Sequence, residues 1–194
     1  MSLVLRADPS DPMEVVVERI VSSHVRVERF WSNPRGWAPA SVTELMQRCR
    51  PDRQTQLARC LELWLEPGTA DVEAGQLIMA RINLGALVEG VLQLGLAVFH
   101  SDYARSDAAV QLEGKLKASP EMSPEELRVF YSKKFWFPAE AARWDPWIQV
   151  VQRRRNAVHA FRQREIGTHA DFLHDVRQYL DFLATVEGRF PYPE

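Results

Sequence analysis

A chain of 194 residues that is 46% hydrophobic and 26% charged lies far from the low-hydrophobicity composition of disordered proteins and is long enough to bury about 70% of its unfolded surface. A net charge of -2 excludes a uniformly basic nucleic-acid binder, and two cysteines, Cys49 and Cys60, without His or Cys at zinc spacing, read as reduced thiols in a reducing compartment. Residues 1–12 lack the long apolar stretch of a secretory signal, so the expected location is the cytoplasm.

The expected organisation is one all-α domain over 1–194: a flexible start (1–12), N-terminal helices (13–68), a helical core (71–187) and a short tail (188–194). From Met13 the apolar residues Val15, Val16, Ile20 and Val27 recur among polar ones, predicting a first helix. Asn33 to Pro39 reads as a loop, after which Ser41 and Glu44 form a capping-box pattern for a helix that stops before Pro51. Asp52 is the expected cap of the next helix, which carries Leu57, Cys60, Leu61, Trp64 and Leu65 to Pro67-Gly68.

Asp71 to His100 is the strongest element, apolar almost all round, as befits the middle of a bundle. Arg81, Asn83, Glu89 and Gln93 interrupt it too often for a membrane span. Gly85, Gly90 and Gly95 each cost about 1 kcal/mol in a helix relative to alanine, which points to close approach by neighbouring chain.

After a connection with a short helix expected near Ala108 to Leu116, Ser123-Pro124-Glu125-Glu126 caps a helix running to about Phe137. Asp145-Pro146 repeats that start signal and predicts a helix reaching Gly167, and a last helix spans about Thr168 to Glu187. No strand and no repeat is expected, so the economical reading is an antiparallel helical bundle.

Charge is unevenly placed along the chain. From Arg128 to Arg164 there are nine basic residues against two acids, +7 in one segment. Within it, Arg155, Asn156 and His159 would share one face of a regular helix. A histidine can move a proton near neutral pH, arginine offers a fork for two phosphate oxygens, and asparagine can orient a hydroxyl, which together are what metal-free RNA cleavage requires. The alternative is a solvated basic face whose arginines meet carboxylates across the bundle.

The long helix containing Ala80-Arg81-Ile82-Asn83-Leu84-Gly85-Ala86-Leu87-Val88-Glu89-Gly90, followed by Arg-Asn and His before a final helix, resembles the HEPN superfamily over roughly Asp71 to Leu183. That resemblance implies an all-helical, commonly dimeric fold, here with extra N-terminal helices. In active members four to six residues separate an Arg from a His, the Arg often followed directly by Asn, Asp or His, and such members cleave RNA without metal in toxin-antitoxin, CRISPR and other antiviral systems. Four residues separate Arg154 from His159 and five separate Arg153, whereas the Arg-Asn pair is Arg155-Asn156, with only three between.

The resemblance therefore implies Arg154, Arg155, Asn156 and His159 as the catalytic set, with Arg153, Arg162, Lys133 and Lys134 available to bind substrate and no cofactor or metal. The implied partners are a second copy of the chain, RNA or nucleotide, and a cognate protein. A non-catalytic module for dimerisation or protein docking is the rival reading. Glu89, midway along an apolar helix, needs a partner, and an arginine of the basic run is the obvious candidate. The aromatics Phe130, Tyr131, Phe135, Trp136, Phe137, Trp144, Trp147 and Phe161 would suit base stacking, or fill a core.

Overall fold

A computed structural model describes residues 8–31, 39–158 and 165–191. Among them the regular structure is almost entirely helical: α1 (Met13–Trp31), α2 (Ala40–Arg48), α3 (Pro51–Arg59), α4 (Glu73–Val98), α5 (His100–Arg105), α6 (Pro124–Phe130), α7 (Pro138–Arg155) and α8 (His169–Glu187). The helix α4 packs against α7, α8, α3, α2 and α6, while α1 lies on α3 and α8. One apolar core runs through these contacts, from Val16, Ile20 and Trp31 on α1 to Phe172, Tyr179 and Phe182 on α8.

Although α4 is long and apolar enough to cross a membrane, 67% of its most apolar window is buried inside the protein. Three of its glycines are places of close approach. A Cβ at Gly85 would lie 2.7 to 2.8 Å from the Arg155 side chain, one at Gly90 would strike Gln54, and one at Gly95 would strike the Tyr131 hydroxyl. That hydroxyl is buried and donates to the Leu92 carbonyl at 2.8 Å.

Several local expectations are corrected. Helix α2 begins at Ala40 with no side-chain cap, because the fixed turn of Pro39 already presents its carbonyl to the Val42 and Thr43 N–H groups. Helix α3 starts with Pro51 at its first position, after Arg50 in the left-handed region at φ 52°, and Asp52 accepts from the Arg50 guanidinium instead of capping. The stretch Cys60–Trp64 tightens into a 3-10 turn.

The segment near Ala108 to Leu116 is a small antiparallel hairpin, β1 (Gln111–Leu112) with β2 (Lys115–Leu116), not a helix. Glu113 and Gly114 both take positive φ, 52° and 76°, the geometry of a two-residue hairpin turn. Ser123 and Glu126 do form the reciprocal cap of α6, but α6 gives way at Tyr131–Phe135 to a π-helical turn.

Helix α7 opens at Pro138, eight residues before the Asp145-Pro146 signal, with the Glu140 carboxylate accepting from the Phe137 N–H. Pro146 is inside it on the exposed face, where the missing donor costs least. The helix ends at Arg155 and passes into a 3-10 turn, Asn156–Val158, and residues 165–168 are not helical, so the expected continuation to Gly167 fails. Thr168 and Asp171 then cap α8 reciprocally.

Polar groups also join α1 to α8. Buried Glu187 accepts from Ser23 and, through both oxygens, from Arg26. His24 is buried with its Nε2 2.8 Å from the Tyr179 hydroxyl, and burial pulls its pKa down to about 4 from 6.5. The folded protein therefore favours the neutral ring, and this contribution is complete above pH 6.5 and lost as pH falls toward 4. Chemical denaturation across that window should show the wild type losing on the order of 3 kcal/mol more than His24→Gln, which cannot titrate. Parallel pH profiles for the two proteins would refute this.

Candidate functional site

The arginines that end α7 are positioned by carboxylates on two other helices. Consecutive residues on a helix diverge by roughly 100°, so Arg154 and Arg155 reach different neighbours. Arg155 Nη2 lies 3.1 Å from Glu89 Oε2 on α4. Arg154 Nη1 donates to Asp175 Oδ2 on α8 at 2.8 Å, with Asp171 3.9 Å away.

Asp175 is the hub of this region. It is buried and accepts from Arg81 of α4, from Arg154, and from the Trp147 indole at 3.1 Å. Arg81 is itself fully buried; burial pulls its pKa below the usual guanidinium value and the bond to Asp175 opposes that. The same guanidinium donates to the carbonyls of Ile166 (3.1 Å) and Thr168 (3.4 Å). Gly167, at φ 71°, leaves room for Arg154, which a Cβ there would meet at 2.9 Å. One ionic cluster thus ties the end of α7, the turn before α8 and the first half of α4.

Arg153, Arg154, Val150 and Glu165 line a cavity of about 450 Å³. Arg153 is exposed and has no ion pair among the described residues. Asn156 ends α7 at φ -75°, ψ 2° and is half-buried, so it does not continue the helical face of Arg155. His159 and Arg162 lie outside the described residues.

Lys133 and Lys134 are elsewhere. Both are exposed in the π-helical turn, and Lys134 pairs with Asp107 at 2.6 Å and lines a different, larger groove. They do not join Arg153 in one cavity.

The +7 counted along that segment is largely paired in the fold. Of the seven described cations in that segment, Arg128 meets Glu125 and Asp145, Lys134 meets Asp107, Arg143 meets Asp181, Arg154 meets Asp175, and Arg155 meets Glu89. Lys133 and Arg153 alone have no ion pair among the described residues. Linear charge became local neutrality because all of the partners but Asp145 come from outside the segment.

Arg81 is the residue that sequence reasoning passed over as a mere interruption of an apolar helix. The available signal was its opposite number, an aspartate at 175 amid Phe172, Val176 and Tyr179 on the apolar face of the last helix. His169 is half-buried with Nε2 2.9 Å from the Trp64 carbonyl.

Comparison with protein families, with curated proteins and with solved structures finds no match. The site therefore rests on its own geometry.

Two measurements check it. Asp175→Ala strands two guanidiniums in the interior and should lower unfolding free energy by about 3–5 kcal/mol, read as a fall in denaturation midpoint at constant slope; a change under ~1 kcal/mol would refute the hub. Glu89 behaves differently, because burial raises its carboxyl above the ordinary 4.5 and Arg155 only partly opposes this. The folded state then holds that proton to higher pH than the unfolded chain, so ionising Glu89 costs stability as pH rises through the raised value. The stability difference should move in favour of Glu89→Gln over that window and then level off; a difference independent of pH contradicts the assignment.

Proposed function

We propose that this chain binds RNA or nucleotide phosphate at the end of α7 and cleaves RNA there in HEPN-like fashion, with His159 on the segment that follows. The observation that supports this reading most is preorganisation. Two arginines of the last turn are held by Asp175 and Glu89, while Arg153 stands exposed at the mouth of a cavity, with five residues between it and His159 in the sequence. Groups clamped this way lose little freedom when substrate arrives.

In the cleaving reaction His159 takes the proton of a ribose 2'-hydroxyl, and the 2'-oxygen attacks the adjacent phosphorus. The bond from phosphorus to the 5'-oxygen breaks, leaving a 2',3'-cyclic phosphate and, once a proton reaches the departing oxygen, a 5'-hydroxyl. Arg153, with the partly exposed edge of Arg154, meets the charge that grows on the phosphoryl oxygens. Asn156, at the helix end, orients the hydroxyl. A two-fold dimer would set two such ends beside one strand.

A second reading has a specific observation behind it. The charges of Arg154 and Arg155 are already met by Asp175 and Glu89, as in a helical module whose arginines serve packing and the helix dipole. Such a module docks a protein partner or dimerises without chemistry.

Ribonuclease assays in chelator decide between them. Wild type should cleave single-stranded RNA without metal, and His159→Ala should reduce the rate by about 10²- to 10⁴-fold. Arg153→Ala should weaken RNA binding and lower its salt slope by about 1. Equal activity in wild type and His159→Ala, at matched purity, removes the catalytic reading; salt-dependent binding without cleavage leaves a binding module.

A further inference from the structure

A second cavity, which shares no lining residue with the α7 end, lies between α5, the π-helical turn, the start of α7 and the end of α8. Its volume is about 950 Å³, at the upper end of the ~300–1,000 Å³ of small-molecule sites. Its apolar walls are mainly aromatic, with Phe99, Tyr103, Phe130, Phe135, Phe137 and Trp144, and Leu96 is the one branched aliphatic among the described residues. A site for an acyl chain would be walled by aliphatic side chains; this one offers ring faces.

The walls also carry cations, of which Lys134, Arg143 and Arg189 are paired with Asp107, Asp181 and Glu140. Arg105, Lys134, Arg143 and Arg189 line the groove against Asp102 and Glu140. Arg189 is paired with Glu140, and it lies over the Phe137 ring at 4.4 Å. Arg143 lies over Trp144 at 4.2 Å. Arg105 has no ion pair among the described residues, and the partner of Lys134, Asp107, is 80% exposed, so that pair is weak and the ammonium can turn to another anion.

Two features are unexplained by folding alone. Phe137 leaves 67% of its surface in solvent at the rim of the groove, although its neighbours Trp136 and Trp144 are buried. The chain also adopts a π-helical turn at Tyr131–Phe135, an arrangement rare in proteins and concentrated at functional sites. That turn presents Lys134 and Phe135 to the groove.

We propose that this groove binds a small planar aromatic anion: a flat ring stacked against Phe137, with its negative group taken by Arg105 and Lys134. Stacking on an exposed ring supplies affinity for any π-face, and the cations select for charge. A nucleoside monophosphate and an aromatic carboxylate share this chemistry.

Isothermal titration calorimetry on the full chain tests it with adenosine monophosphate, indole-3-acetate and inorganic phosphate as probes. Saturable sub-millimolar binding of at least one aromatic probe is expected, with phosphate about tenfold or more weaker. Binding of adenosine monophosphate alone assigns the groove to nucleotides, and binding of indole-3-acetate alone assigns it to carboxylates. Phe137→Ala should weaken binding by about tenfold, and Arg105→Glu, an exposed substitution with no ion pair to lose among the described residues, should weaken it several-fold and reduce its salt dependence. Arg153→Ala should leave it unchanged, which separates this site from the α7 end. Absence of saturable aromatic binding, phosphate binding as tight as the aromatic probes, or wild-type affinity in both groove variants would overturn the proposal.

Discussion

Everything around the end of α7 depends on one buried carboxylate. Asp175 receives Arg81 from α4 and both Arg154 and Trp147 from α7, and it stands on α8. Moving two guanidiniums and a carboxylate out of water costs nearly what their attraction returns, so such a cluster adds little net stability over an apolar equivalent. Its effect is on register. Rotating or sliding any of the three helices by one residue leaves at least one charge in the interior without its counterpart, a penalty that apolar packing does not impose.

That constraint matters because α4 is apolar on nearly every side. A helix with one greasy stripe has an obvious rotation; a helix that is greasy all round does not. On α4 the polar exceptions supply the missing specification. Arg81 faces α7 and α8 through Asp175, Asn83 donates to the Leu57 carbonyl and accepts from the Trp64 indole, and Glu89 faces Arg155. The three glycines then set how closely Arg155, Gln54 and Tyr131 approach.

Features governed by residues within one turn of each other were legible in the chain: the all-α class, the length of α4, the Ser123 cap and the start of α8. The start of α7 was not, because Phe137-Pro138 and Asp145-Pro146 carry the same proline signal, and only the tertiary setting shows that the second proline lies on an exposed helix face. The end of α7 was also misplaced. Val158 and the arginines continue a helical pattern, yet Asn156 turns the backbone and Arg81 claims the carbonyls of Ile166 and Thr168. The link between Glu89 and the basic run was readable from cost alone, since a carboxylate on an apolar helix demands a cation; which arginine answers it depends on where α7 stops.

Charge summed along a segment is a poor guide to the field that a ligand meets. Opposite charges a few ångströms apart cancel well inside the ~8–10 Å screening length of physiological salt, and five of the seven described cations between Arg128 and Arg155 are so matched. What the fold leaves unmatched at the α7 end is Arg153 and the edge of Arg154 turned away from Asp175, rather than a broad basic surface. So few available cations would not hold RNA by electrostatics alone, so the function proposed above leans on geometry: the pairing of Arg154 to α8 and of Arg155 to α4 fixes the helix end that carries Arg153.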